Sequence, residues 1–101
     1  MPVVIFTIRL EATYWTKGFF NVGVDFERYF TQDDGPFEIY VEALTTPIVG
    51  RISRSANRNA TPRIYGNQQL AKFFQQWHRV GDSVRIDVLS DRSIRVHSKA
   101  G

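Results

Sequence analysis

The chain has 101 residues, of which 43% are hydrophobic and 14% aromatic, so it can build one domain around one core. It has no cysteine, which excludes disulfides, thiolate zinc sites and thiol nucleophiles, and no apolar run nears the roughly 20 residues of a membrane span. The net charge of +3 and pI of about 9.6 point weakly to an acidic partner.

The opening MPVVIFTIRL lacks a basic leader and a small-residue cleavage site, so the expectation is a soluble cytoplasmic protein, nucleoid-associated in a prokaryote. Val3 to Leu10 is rich in β-branched residues and predicts a buried strand. Glu11 to Gly18, EATYWTKG, shows no period and reads as a loop, followed by a short strand over Phe19 to Val22. Val24 to Phe30, VDFERYF, puts several aromatics on one helical face and predicts a short helix; TQDDG then turns the chain. Pro36 to Leu44 alternates as a half-buried strand. Ile48 to Ser53 is the next strand, Ser55 to Ala60 a loop tip, and Thr61 to Tyr65 a strand with an edge-type proline.

Asn67 to Trp77 carries the clearest helical signal. Asn67 is placed to cap it, and Leu70, Phe73, Phe74 and Trp77 form one apolar stripe assigned to the core. Ser83 to Leu89 alternates as a strand, SDRS turns, and Ile94 to His97 closes the chain. Seven short strands with two short helices predict a mainly β (α+β) fold, a seven-stranded open pseudobarrel in a single domain over residues 1–101.

Charge is unevenly spread along this chain. From Ala43 to Gly81 there is no Asp or Glu, while Arg51, Arg54, Arg58, Arg63, Lys72 and Arg79 all fall there. Arginine presents a fork of donors that matches the guanine edge, and asparagine matches the adenine edge. Hydroxyls, and arginines that miss a base, hold phosphates and set register. The segment Arg51 to Arg63 therefore has the inventory of a DNA-reading hairpin: Arg51, Ser53, Arg54, Ser55, Asn57, Arg58, Asn59, Thr61 and Arg63. Arg54, Asn57 and Arg58 are placed at its tip as base readers, and Arg51 and Arg63 nearer the barrel as phosphate contacts. Asn57 and Asn59 are candidate adenine readers, or else suppliers of turn geometry. In EATYWTKG, Tyr14 and Trp15 either stack on the nucleic acid or cap the barrel, and Lys17 is suited to a phosphate.

Catalytic chemistry is not indicated. The serines lack a nucleophile-elbow context, GRISRS lacks the P-loop lysine and spacing, and Lys17, Lys72 and Lys99 sit in no acid-flanked strand. His78 and His97 stand apart without acidic ligands at a recognisable spacing and read as surface or internally satisfied histidines. The expectation is a non-enzyme without metal or cofactor.

The order of KGFFNV, DFERYF, the basic loop, QQLAKFFQQW and VGDSVRIDVL resembles the DNA-binding pseudobarrel superfamily over Val3 to Val96. That group includes the plant B-three transcription-factor domains and the recognition domains of restriction endonucleases such as the EcoRII-type effector domain. The resemblance implies two arms gripping the major groove of double-stranded DNA. Carried over, the first is Arg9 to Lys17, with Arg9, Thr13, Tyr14, Trp15, Thr16 and Lys17, and the second is Arg51 to Arg63. The chain lacks the tryptophan and asparagine-rich strand that precedes the helix in the plant domains, which favours the restriction-type branch. It also implies fusion to, or association with, a nuclease domain, or a small stand-alone DNA-binding protein. The oligomeric state is left open. Two alternatives stand beside it. VGDSVRIDVLSDRSIRV is similar to half of an AbrB-type swapped-hairpin barrel, implying an antitoxin-like dimer; a small barrel could also bind single strands by aromatic stacking.

Overall fold

The computed structural model describes residues 4–42 and 45–98. Val3, Ala43 and Leu44 from the predicted strands, and Lys99, lie outside the described residues. The strands are β1 (Val4–Arg9), β2 (Phe19–Asn21), β3 (Gly35–Val41), β4 (Ile48–Ser53), β5 (Arg63–Tyr65), β6 (Ser83–Ser90) and β7 (Ser93–Val96). The helices are α1 (Ala12–Lys17) and α2 (Asn67–Trp77). The seven strands form one sheet in the order β1-β6-β7-β3-β4-β5-β2, curled into a nearly closed barrel, as the sequence predicts. All pairings are antiparallel except β3 with β7.

Alternation sets which face of each strand enters the core. Phe6 and Ile8 from β1, Phe37, Ile39 and Val41 from β3, Val84 and Ile86 from β6, and Ile94 and Val96 from β7 are buried. Leu70, Phe73 and Phe74 on α2 join them. Trp77 does not: it is 49% exposed, against the expectation that the whole stripe is core. The reason is local. The helix ends there, and the next residue, His78, is extended and takes the buried place, its ring 5.8 Å from Phe73 and 6.2 Å from Phe74.

Three further local expectations are corrected. EATYWTKG is not a loop: Ala12–Lys17 is helical. A helix this short carries no readable period and is held by tertiary contacts rather than propensity. Tyr14 is buried, Trp15 Nε1 donates to the His78 carbonyl at 3.1 Å, and α1 packs on α2. Gly18 ends it in the left-handed region (φ 75°), its N–H bonding to the Tyr14 carbonyl at 2.8 Å. A Cβ on Gly18 would lie 1.8 Å from the Asn67 carbonyl oxygen, so no other residue fits without displacing α2.

Asn67 is not the cap of α2. Gly66 holds that position, no side chain caps it, and Asn67 itself has a φ of 55°. The N–H groups of Gly66 and Asn67 instead donate to the Gly18 carbonyl at 2.8 and 2.9 Å, which ties the start of α2 to the end of α1. Finally, the helix expected over Val24 to Phe30 shrinks to a 3-10 turn at Glu27–Tyr29. Phe26 and Phe30 are drawn to the barrel end by Phe6, at ring distances of 4.9 and 6.2 Å. The carbonyls of Glu27, Phe30 and Thr31 accept from an arginine side chain.

Candidate nucleic-acid interface

That arginine is Arg54. Strand β4 carries the chain up to Ser53, and Arg54 turns inward, only 9% exposed. Its Nε donates to the Thr31 carbonyl at 2.8 Å. One terminal nitrogen reaches the Glu27 carboxylate at 2.5 Å and the Ala60 carbonyl at 3.2 Å. The other reaches the carbonyls of Glu27 at 2.7 Å and Phe30 at 3.0 Å. A planar fork of donors is what such a set of acceptors needs, so the residue ties the 27–31 turn to the base of the second arm. The expectation that Arg54 reads bases from the tip is wrong: its donors are spent inside the protein.

Ser53 and Ser55 are structural as well. Both hydroxyls donate to Asp34 Oδ2, at 3.1 and 3.2 Å, and the Arg54 backbone N–H donates to Asp34 Oδ1 at 2.8 Å. The Arg54 backbone bond, then the serine hydroxyls and the Arg51 charge, outweigh desolvation and hold the Asp34 carboxyl below its ordinary value. Ser53 is therefore buried.

Asn57 and Asn59 supply turn geometry, the second of their two readings. Asn59 Oδ1 accepts from the Thr61 hydroxyl at 2.7 Å and its N–H at 3.3 Å. Asn57 Nδ2 donates to the Thr61 carbonyl at 3.1 Å and to Asn21 Oδ1 at 3.0 Å. Thr61 is buried. Arg63 lies over the Phe19 ring at 4.6 Å, and donates to Asn21 Oδ1 at 2.9 Å and Asn57 Oδ1 at 3.3 Å. That leaves Arg58 exposed at the tip and Arg51 exposed on β4.

On the first arm, Arg9, Thr13, Thr16 and Lys17 are exposed, although the Thr16 hydroxyl is bonded back to the Ala12 carbonyl at 2.9 Å. Tyr14 and Trp15 take the barrel-capping reading: Tyr14 is buried and Trp15 half-buried. Among the described residues, Arg9, Lys17 and Arg58 make no ion pair or side-chain hydrogen bond.

The two arms meet at a residue the sequence reading passed over. Asn21, at the end of β2, donates to the Tyr14 hydroxyl at 3.2 Å on one side and accepts from Asn57 and Arg63 on the other. A groove of about 600 Å³ between the arms is lined by Tyr14, Asn21, Gly23, Arg58 and Asn59. It continues past Tyr14, Asn21 and Gly23 into a second hollow of about 310 Å³ that reaches Arg9. Glu11 and Asp25 line that second end, so positive charge concentrates at the Arg58 end. The only available hint of Asn21 was its place after KGFF at the end of a strand.

Comparison with known protein families, with curated proteins and with solved structures gives no match to this chain. No helix among the described residues is long and apolar enough to cross a membrane.

Proposed function

We propose that this chain binds double-stranded DNA sequence-specifically, through two arms held at a common groove. The observation that carries the proposal is the placement of Arg9 and Arg58, both without internal partners among the described residues, at the two ends of one concave surface joined through Asn21. Lys17 and Arg51 add exposed positive charge on the same two arms. Unpaired guanidinium groups on a concave surface are what phosphate contacts and guanine reading require. The resemblance in element order to the pseudobarrel superfamily points the same way. In this reading the chain is a recognition module without catalytic chemistry of its own, acting alone or beside a nuclease domain.

Both alternatives have less support. The β6–β7 hairpin pairs within the chain on both flanks, with β1 and with β3, so it has no open edge to swap. The aromatics expected to stack on single strands are committed internally, Tyr14 to the core and Trp15 to His78.

The test is selection of bound duplexes from a random library, then binding of the selected duplex and its single strands across salt. Each neutralised phosphate contributes about −0.9 to the log–log slope, so Arg9, Lys17, Arg51 and Arg58 predict a slope of roughly −3 or steeper. A flat salt response, no enriched sequence, or equal binding of single strands would remove the proposal.

A further inference from the structure

Glycine is needed where the backbone takes a positive φ, or where a neighbour fills the space of a side chain. Every other glycine among the described residues meets one of those conditions. Gly23 meets neither. Its φ is not positive, and a Cβ added to it has nothing within 4 Å. It is exposed, just past the end of β2, and it lines both hollows of the groove between the arms. The fold thus leaves bare backbone on the surface that runs from Arg58 to Arg9. Glycine there carries an entropic cost relative to alanine that no packing within the chain offsets.

The next residue, Val24, is 65% exposed. Of the strongly exposed large apolar side chains among the described residues, it alone lines the groove. A single exposed valine is ordinary on a surface. Beside an open glycine, in a groove with an unpaired arginine at each end, it is an apolar spot with room next to it. The charges around it decide what can lie there. Glu11 and Asp25 are exposed and line the hollow on the Arg9 side. Two carboxylates repel a phosphate, so the DNA backbone belongs on the arms and a base edge on this floor. In the major groove, the apolar element of a base edge is the C5 methyl of thymine.

We propose that Gly23 and Val24 seat a thymine, its C5 methyl on the Val24 side chain and its edge admitted by the space at Gly23. The inference rests on the duplex-binding reading above and adds a base preference to it. Neither free arginine supplies that preference, because a guanidinium addresses guanine or phosphate. The expected site therefore carries a thymine between the contacts made by the two arms.

The test uses the duplex enriched by selection. Each thymine is replaced in turn by deoxyuridine, which keeps the pairing and removes only the methyl. One such replacement should weaken binding by about fourfold, the value of one buried methyl-sized group. Val24→Ala should weaken binding of the thymine duplex and be indifferent to that replacement, so that the two losses do not add. Gly23→Ala should match or exceed the wild-type urea midpoint, because no neighbour opposes its Cβ. Gly23→Leu should bind the selected duplex about tenfold more weakly, as crowding of a packed contact does. Gly23→Ala should show a smaller loss in the same direction, which keeps the test sound if the leucine variant folds poorly. An enriched duplex in which no thymine responds to deoxyuridine overturns this inference and leaves the duplex reading standing. So does an undiminished deoxyuridine response in Val24→Ala, or wild-type affinity in both Gly23 variants. Absence of any bound duplex removes the reading itself, and this inference with it.

Discussion

Arg54 and Arg58 stand four residues apart in one acid-free loop, and the fold puts them to opposite uses. Arg54 is buried and donates to five acceptors, four of them backbone carbonyls. Arg58 is exposed and, among the described residues, unpaired. The base of the second arm is thus a piece of the core in polar form, while its tip is free for a partner. Local absence of acid says nothing about which arginines are free, because the carboxylates that hold Arg54, those of Glu27 and Asp34, lie far upstream in the chain.

The contrast breaks first on stability. Arg54→Ala strands four carbonyls and a carboxylate at a mostly buried site, and should cost about 3 kcal/mol in urea unfolding, in the range for breaking a buried pair. Arg54→Lys should recover little of that loss, because one ammonium cannot span acceptors arranged for a planar fork. Wild-type stability in either variant would show that the base is not the anchor described here.

The tip should behave in the reverse way. Arg58→Ala should leave the unfolding midpoint nearly unchanged while weakening cognate duplex binding by about 1–3 kcal/mol if the residue reads a base. If it holds a phosphate, all duplexes weaken alike and the salt slope falls by about 1. An Arg58→Ala variant that loses stability but keeps affinity would invert the comparison.

Between these lies Asn21, which belongs to both arms. Asn21→Ala leaves the Arg63 Nε and Asn57 amide without their shared acceptor, and should cost about 1–2 kcal/mol of stability. It should also lower duplex affinity, although Asn21 is not proposed to touch a base. Affinity retained at full occupancy would show that the arms are positioned independently.

The smallest effect is a pH dependence. The Asp34 carboxyl is held below its ordinary value mainly by the Arg54 backbone N–H, and that of Asp87 is lowered too. For Asp87, burial pushes upward, but hydrogen bonds from Arg85 and His97 outweigh it. A group with a lowered folded pKa stabilises the protein above its unfolded value, and that contribution fades as pH falls through the folded value. Stability should therefore decline below about pH 4, the ordinary carboxylate range, with Asp34→Asn flattening part of the decline. Unfolding midpoints measured from pH 7 to pH 2 check this; identical profiles for variant and wild type would remove the role given to Asp34.

Much of the architecture was legible because strand alternation is a local signal. β3, β4 and β6 match their predicted segments closely, and α2 matches at both ends. What escaped depends on contacts between distant residues. α1 is too short to show a period and exists because Tyr14, Trp15 and Gly18 find places on the barrel and on α2. Trp77 follows the stripe but lies where the helix leaves the core. In the candidate site, residue types singled out the second arm, yet Ser53, Arg54 and Asn57 are tied into internal hydrogen bonds and Asn59 accepts from Thr61. Arg9, Arg58 and the groove between them depend on folding to come together.

Gly18 carries a consequence for how this molecule could be re-engineered. Its carbonyl holds the start of α2, and its missing side chain lets the two helices touch. The first arm is therefore welded to the longest helix, and transplanting it alone would tear that joint. The tip around Arg58 is held by side-chain hydrogen bonds of Asn57 and Asn59 rather than by a helix joint. If the arms read DNA as proposed, the place to vary is Arg58 and its exposed neighbour Ala56, with Ser55, Asn57 and Asn59 kept as the bonded frame of the tip.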